Sequence, residues 1–214
     1  KLVKVVKNEI TNVNIEQLYF DVKGRAKMEV TTRLIDFYAL KLVLIFCNQK
    51  KRVDEVVEEL ALRGYAAEGL HGDLRQSQRT QVMNRFRSGN VSFLVATDVA
   101  ARGLDVENVD AVINYDIPLD EEYYVHRIGR TGRAGRDGLA VTFAEFRDRR
   151  KIMDIEHYTQ ETLKAEIIPG LEPTQRPARA PSHEPRRGKP GGGGKSFAGA
   201  KRGNGFKPRS AARS

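Results

Sequence analysis

The chain has 214 residues, a formal net charge of +9 and a single cysteine, Cys47. One thiol leaves no disulfide framework and no thiolate metal site, and the four histidines show no metal-ligand spacing. No run nears the roughly 18 apolar residues of a membrane span and no signal peptide is visible, which suits a reducing, cytoplasmic setting. The first residue is Lys1 rather than methionine, as expected of a fragment or a processed product. The basic excess is local. Residues 169–214 hold 11 of the 37 Lys and Arg but 2 of the 28 Asp and Glu, which leaves 26 of each in residues 1–168. The same stretch holds seven of the eight prolines and nine of the nineteen glycines. Residues 1–168 are therefore predicted to fold, and 169–214 to form a disordered basic tail, since that composition buries no core.

Within the body, strand-like and helical patterns alternate. A strand is predicted over 15–22 and a helix over 27–39, then a strand over 42–47 that contains Cys47 as a buried core thiol. A helix follows over 50–63, where Val53, Val56, Val57, Leu60 and Ala61 keep the i, i+3, i+4 rule and Gly64 supplies a stop. Further strands are predicted over 66–70, 91–96, 111–115 and 139–144, and further helices over 76–87, 121–128 and 147–159. Several strands are unbroken apolar runs, as expected where helices cover both faces. The fold class is α/β, with a doubly wound, mainly parallel sheet. Ligands gather at the carboxyl ends of such strands. That rim carries His71, Gly72 and Asp73 after the third strand, Thr97 and Asp98 after the fourth, and Asn114, Tyr115 and Asp116 at the fifth.

The densest pattern is HRIGRTGRAGRDG, residues 126–138, in which Arg127, Arg130, Arg133 and Arg136 alternate with four glycines. Guanidinium forks match phosphate oxygens and stay charged at physiological pH, so the segment reads as a phosphate clamp. The alternatives are a collagen-like repeat, a disordered arginine–glycine RNA binder and a plain solvated charge run. The first has too few triplets and no proline. The second is opposed by folded sequence on both sides, and the third does not explain glycines in register with arginines. GGGGKS, residues 191–196, resembles a P-loop but has Lys189 where the pattern needs glycine, and it lacks a flanking strand and helix. The chain thus offers arginines for a nucleotide's phosphates without a cradle, which implies a partner domain opposite them.

These residues carry a family resemblance. ATDVAARGLD (96–105) and HRIGRTGR (126–133) resemble motifs V and VI of the DEAD-box ATP-dependent RNA helicases, bacterial members included. LVLIFCNQKKR (42–52) resembles motif IV. HGDLRQSQR (71–79) resembles the block after it, and INYDIP (113–118) the segment between V and VI. The likeness covers about residues 5–172, and His126 favours DEAD-box over the related DEAH group. The family's first half, with Walker A, D-E-A-D and S-A-T, is missing, so the chain is similar to the second RecA-like domain. Gln49 departs from a commoner threonine.

The resemblance implies ATP with Mg²⁺ as cofactor, held mainly by the N-terminal RecA-like domain, and RNA as partner, gripped by its backbone without sequence preference. It implies Arg130 and Arg133 as arginine fingers on the γ-phosphate, and Gly103 and Asp105 at the ribose. His126 and Arg127 match interdomain coupling positions. Gln76, Arg79 and Thr97 match RNA backbone contacts, with Gly72 and Asp98 nearby. For each, a cap or surface ion pair is the structural alternative. Eleven cations with Phe197 and Phe206 suit the tail to non-specific RNA contact, against a merely solubilising linker. The whole protein is expected to separate duplex strands locally, and this half alone to hydrolyse ATP negligibly. The alternatives are a stand-alone, ATP-independent RNA-binding or annealing module and a protein-docking scaffold.

Overall fold

A computed structural model of the protein describes residues 14–103, 106, 109–133 and 135–169. The tail, including GGGGKS, Phe197 and Phe206, lies outside the described residues, as does Asp105. Seven parallel strands form one sheet: β1 (Ile15–Asp21), β2 (Val43–Phe46), β3 (Ala67–Leu70), β4 (Phe93–Ala96), β5 (Ala111–Asn114), β6 (Gly138–Ala144) and β7 (Lys164–Glu166). Their order is β3-β4-β2-β5-β6-β1-β7. The helices are α1 (Lys27–Phe37), α2 (Lys50–Leu62), α3 (Gln76–Arg87), α4 (Asp98–Ala101), α5 (Glu121–Ile128) and α6 (Arg149–Thr159).

Alternation along the strands sends successive side chains to opposite faces, and each face has its own helices. Val43, Ile45, Val95 and Ile113 pack on one side against Val30 and Leu34 of α1 and Val53, Val56 and Leu60 of α2. On the other side Leu44, Phe46, Leu94 and Val112 meet Met83 and Phe86 of α3 and Ala100 of α4. On that same side, toward β6 and β1, Ala140 and Ala144 lie under Tyr124 and Ile128 of α5 and Ile152 and Ile155 of α6. This is the doubly wound sheet that the apolar runs predict. Cys47 is fully buried, and burial pushes its thiol well above the ordinary range, as befits a core position.

Two elements have no counterpart in the sequence patterns. β7 is a three-residue strand, Lys-Ala-Glu, at the sheet edge, held by pairing with β1 rather than by any apolar run. α4 is a single turn started by Thr97, whose Oγ1 accepts from the Ala100 amide at 3.4 Å. Polar residues that penetrate the α5–α6 side are tied together: Tyr124 Oη donates to Gln17 Oε1 at 2.8 Å, and Asn114 Nδ2 donates to Thr142 Oγ1 at 3.0 Å. Among the described residues no helix is long and apolar enough to cross a membrane.

Leu44 is 1% exposed on the face that carries α3 and α4. Leu44→Ala is expected to lower stability by about 2–5 kcal/mol, read as an earlier urea midpoint with an unchanged slope.

Candidate functional site

The winding reverses at β2, with β4 and β3 on one side and β5, β6 and β1 on the other. Such a reversal opens a crevice beside the carboxyl end of the central strand. Here the crevice is a cleft of about 190 Å³ floored by Phe46 and lined by Asp98, Arg102, Tyr123, His126, Arg127 and Arg130. Asp98 and Arg127, 29 positions apart in the chain, therefore share one wall of the cleft. A larger, open groove of about 900 Å³ lies at the opposite, amino-terminal edge, among Leu40, Tyr65, Phe86 and Phe93. It gathers none of the predicted site residues.

Arg127 is the anchor of the cleft. Its side chain is 1% exposed and engages its five N–H donors inside the domain. Nε and Nη2 donate to the two carboxylate oxygens of Asp98, both at 2.6 Å. Nη1 donates to Asn114 Oδ1 at 3.2 Å and to the Asp116 carbonyl at 2.8 Å. Nη2 also donates to Asn48 Oδ1 at 2.9 Å, and the guanidinium lies 5.0 Å from the Phe46 ring centroid. One planar group thus joins α5 to the ends of β2, β4 and β5. Asp116 extends the network: its Oδ2 accepts from the Asn48 amide at 3.1 Å and its Oδ1 from Lys27 Nζ at 3.3 Å. Lys27 also donates to the Tyr115 carbonyl at 2.7 Å. Asn48 and Lys27 were not among the predicted site residues, and Asp116 was placed on the strand-end rim without a role. Their signal was position alone, since Asn48 and Asp116 immediately follow strands at the reversal.

The other expected residues fall into two groups. Arg130 and His126 line the cleft, Arg130 half-buried and His126 exposed with Nε2 3.8 Å from Glu122 Oε1. Arg133 is half-buried, and its Nε donates to the Gly129 carbonyl at 2.7 Å, which turns the side chain back along the loop. Gly103 is exposed just beyond α4. The second group follows the carboxyl rim over β3 and β4: Gly72 and Gln76 are exposed, Thr97 caps α4, and Arg79 Nη2 donates to the Ala100 carbonyl at 3.0 Å, docking α3 on α4. Next to Gly72, Lys50 donates to Asp73 at 2.8 Å and holds that carboxyl below its usual range. Arg102 and Tyr123 were missed by the sequence reading. The Arg102 guanidinium sits 5.7 Å from the Tyr123 ring centroid and donates to its hydroxyl at 3.3 Å, across the mouth of the cleft.

The glycines of 126–138, expected to open the backbone toward phosphate, serve packing, and the helix α5 extends through Ile128 into the segment. A Cβ on Gly138 would stand 2.4 Å from the Gly132 backbone nitrogen. One on Gly132, at φ +67°, would stand 2.5 Å from the Ile15 side chain. Two glycines therefore let the loop fold flat against the start of β6 and β1, which fixes where Arg130 and Arg133 emerge.

Two stability tests follow. Arg127→Ala strands a buried carboxylate and is expected to cost about 3–5 kcal/mol in chemical unfolding, with Arg127→Lys recovering little because an ammonium cannot serve five acceptors. Gly138→Ala, with its close approach to backbone, is expected to destabilise by more than about 1 kcal/mol and to lower the thermal midpoint.

Residues 26–135 match the family model described as the helicase conserved C-terminal domain. The DEAD-box ATP-dependent RNA helicase CshA of Geobacillus kaustophilus is 49% identical over 172 residues, covering 80% of this chain and 37% of that protein. CshA of Bacillus subtilis is 48% identical over 170 residues, covering 79% and 34%. The chain thus spans about a third of the length of the curated relatives it matches. Among solved structures, the E. coli DEAD-box protein SrmB, crystallised with the regulator of ribonuclease activity A, superposes with a TM-score of 0.72 at 35% identity over 77% of this chain and 98% of that one. S. cerevisiae Dbp5 bound to RNA and ADP BeF3 gives 0.66 at 35% identity over 72% of this chain and 42% of that one.

Proposed function

Because the chain belongs to the DEAD-box RNA helicases, as their C-terminal helicase domain, we propose that it acts as one half of an ATP-dependent RNA-unwinding protein. In this reading it supplies arginines to a nucleotide held chiefly by an N-terminal RecA-like half, and it forms one side of an RNA groove. The observation that carries this is the charge of the cleft. Arg102, His126 and Arg130 converge there, while Asp98, the one carboxylate among the described lining residues, is taken up by Arg127.

The donor set fits phosphate rather than metal. Guanidiniums bind phosphate oxygens, and among the described residues no group of three His, Cys, Asp or Glu could hold a metal ion. Arg130 and Arg133 would hold the terminal phosphates, and Gly103 and Asp105 the ribose. ATP, with Mg²⁺, supplies the phosphoryl group that is transferred to water. Arg130 and Arg133 act by neutralising the charge on its equatorial oxygens. Arg127 does not reach the nucleotide. It keeps α5 in register with α4, so that the residues before and after it face the same gap. His126 and Arg102 stand at the lip of that gap, where a second domain would close over it.

The rim of Gly72, Gln76, Arg79 and Thr97, with Asp98 beneath it, suits a sugar–phosphate backbone laid along it. Asp98 links the two functions. Its backbone opens α4 on the RNA rim, and its carboxylate holds Arg127 in the cleft. The basic tail, residues 169–214, adds sequence-independent attraction for RNA.

The chain alone is expected to show negligible ATPase activity, and addition of the missing N-terminal half is expected to restore RNA-stimulated hydrolysis. Arg130→Ala or Arg133→Ala should then lower the rate by about 10³-fold or more at unchanged unfolding midpoint. Substantial hydrolysis by the chain alone overturns the division of labour between the halves, and RNA affinity indifferent to both nucleotide and partner half overturns this reading in favour of a stand-alone RNA-binding module.

A further inference from the structure

β1 and β6 are parallel neighbours with Asp21 opposite Ala144, so the loops that follow them leave the sheet side by side. The Val22 amide donates to the Ala144 carbonyl at 2.9 Å, and a Cβ on Gly24 would stand 3.3 Å from Glu145 Oε1. One loop carries Lys23 and Arg25. The other, continuing into the first turn of α6, carries Arg147, Arg149, Arg150 and Lys151. All six are exposed. Three acids lie among them, two of them bonded within the loop. Glu145 pairs with Arg147 at 3.3 Å, Asp148 Oδ2 accepts from the Glu145 amide at 3.1 Å, and Asp21 is partly buried, which pushes its carboxyl up.

Phe146 projects from the middle of this cluster with 66% of its surface exposed, and it belongs to none of the core clusters. The turn that presents it is fixed by the reciprocal bonds between Glu145 and Asp148, so the ring's position is built rather than incidental. An exposed ring ringed by cations is the composition of a single-strand nucleic-acid platform: bases stack on the ring while guanidiniums neutralise phosphates. A local cationic excess also stands out in a body whose charges balance overall. The cluster occupies the same carboxyl rim as Gly72, Gln76 and Thr97. Three to four strand positions separate it from β4, about 14–19 Å at the usual spacing.

We propose that the Phe146 loop, with Lys23 and Arg25 beside it, is a second contact for single-stranded RNA, separate from the groove over β3 and β4. It takes unpaired nucleotides that flank those in the groove, with Phe146 stacking on a base and Arg25, Arg149 and Arg150 on the backbone. The inference rests on the RNA-binding reading above, and it assigns the flanking strand a path along the rim toward the far side of the sheet.

The test is fluorescence anisotropy of the full chain with labelled oligouridylates of about 6 and about 20 nucleotides, bracketing the site sizes of single-strand binders. Phe146→Ala should weaken the long oligomer by about 5-fold or more and leave the short one unchanged. Arg149→Gln with Arg150→Gln should reduce the slope of log affinity against log salt by about 1.4, again for the long oligomer only. Both variants alter exposed side chains, so unchanged thermal midpoints verify their fold. Long-oligomer affinity and salt slope identical to the parent chain would overturn the proposal. So would an effect confined to phosphatidylserine vesicles, which would mark a membrane surface instead. Arg79→Ala separates the two readings. If it spares the short oligomer, the groove assignment fails, while the Phe146 result still stands or falls on the long one.

Discussion

The site depends on a single buried guanidinium. Arg127 comes from α5, yet its partners come from the ends of three strands, and no other described side chain spans β2, β4 and β5 at once. Burying such a charge is costly unless every donor is met. Here all are met, by one carboxylate, two side-chain amide oxygens and a main-chain carbonyl, with an aromatic ring on the face of the plane. The arrangement adds little net stability over a well-packed apolar core, but it tolerates no slippage. A shift of α5 by one residue would leave Asp98 and the guanidinium stranded in the interior.

That intolerance is what makes the cleft useful. Arg130 sits one turn beyond Arg127, and the loop after it is pressed against the sheet by the near contact of Gly132 with Gly138. The helix is pinned at one end and the loop is clamped at the other, so the outward arginines inherit a fixed origin. Electrostatic stabilisation of a transferring phosphoryl group depends on charges that are already in position, because reorganising them at the moment of reaction would cost what they contribute. The arginine that touches no ligand thus sets the geometry for those proposed to touch it.

Asp98 ties the proposed RNA rim into the same frame. It opens α4, the turn that Thr97 caps and Arg79 braces, and it also closes the bidentate pair with Arg127. A displacement of α4 by a bound strand would be felt at Arg127 through two short charge-assisted bonds, and through it by α5. This is a physical route by which the proposed backbone binding on the rim and the proposed nucleotide binding in the cleft would bear on each other. It needs no moving part larger than one helical turn.

Much of this was legible from residue order alone. Apolar runs of four to six residues gave the central strands to within two residues at each end, because a strand covered on both faces must be apolar throughout. The alternation of those runs with periodic helices set the parallel topology, and the motifs supplied the residues of the cleft and rim. What escaped was whatever lacks a local pattern. β7 is polar and exists because β1 offers it an edge. α4 is one turn long and needs the cap at Thr97. Asn48, Lys27 and Asp116 gain meaning only through partners 68 to 89 positions away. The glycines of 126–138 were read as openness toward phosphate, yet two of them are there because backbone passes within touching distance of backbone. Composition and periodicity report what a residue prefers within its own stretch of chain. Whether an arginine ends up presented to a ligand or sealed among strand ends is decided by which strands the sheet order makes neighbours, and only the assembled fold contains that information.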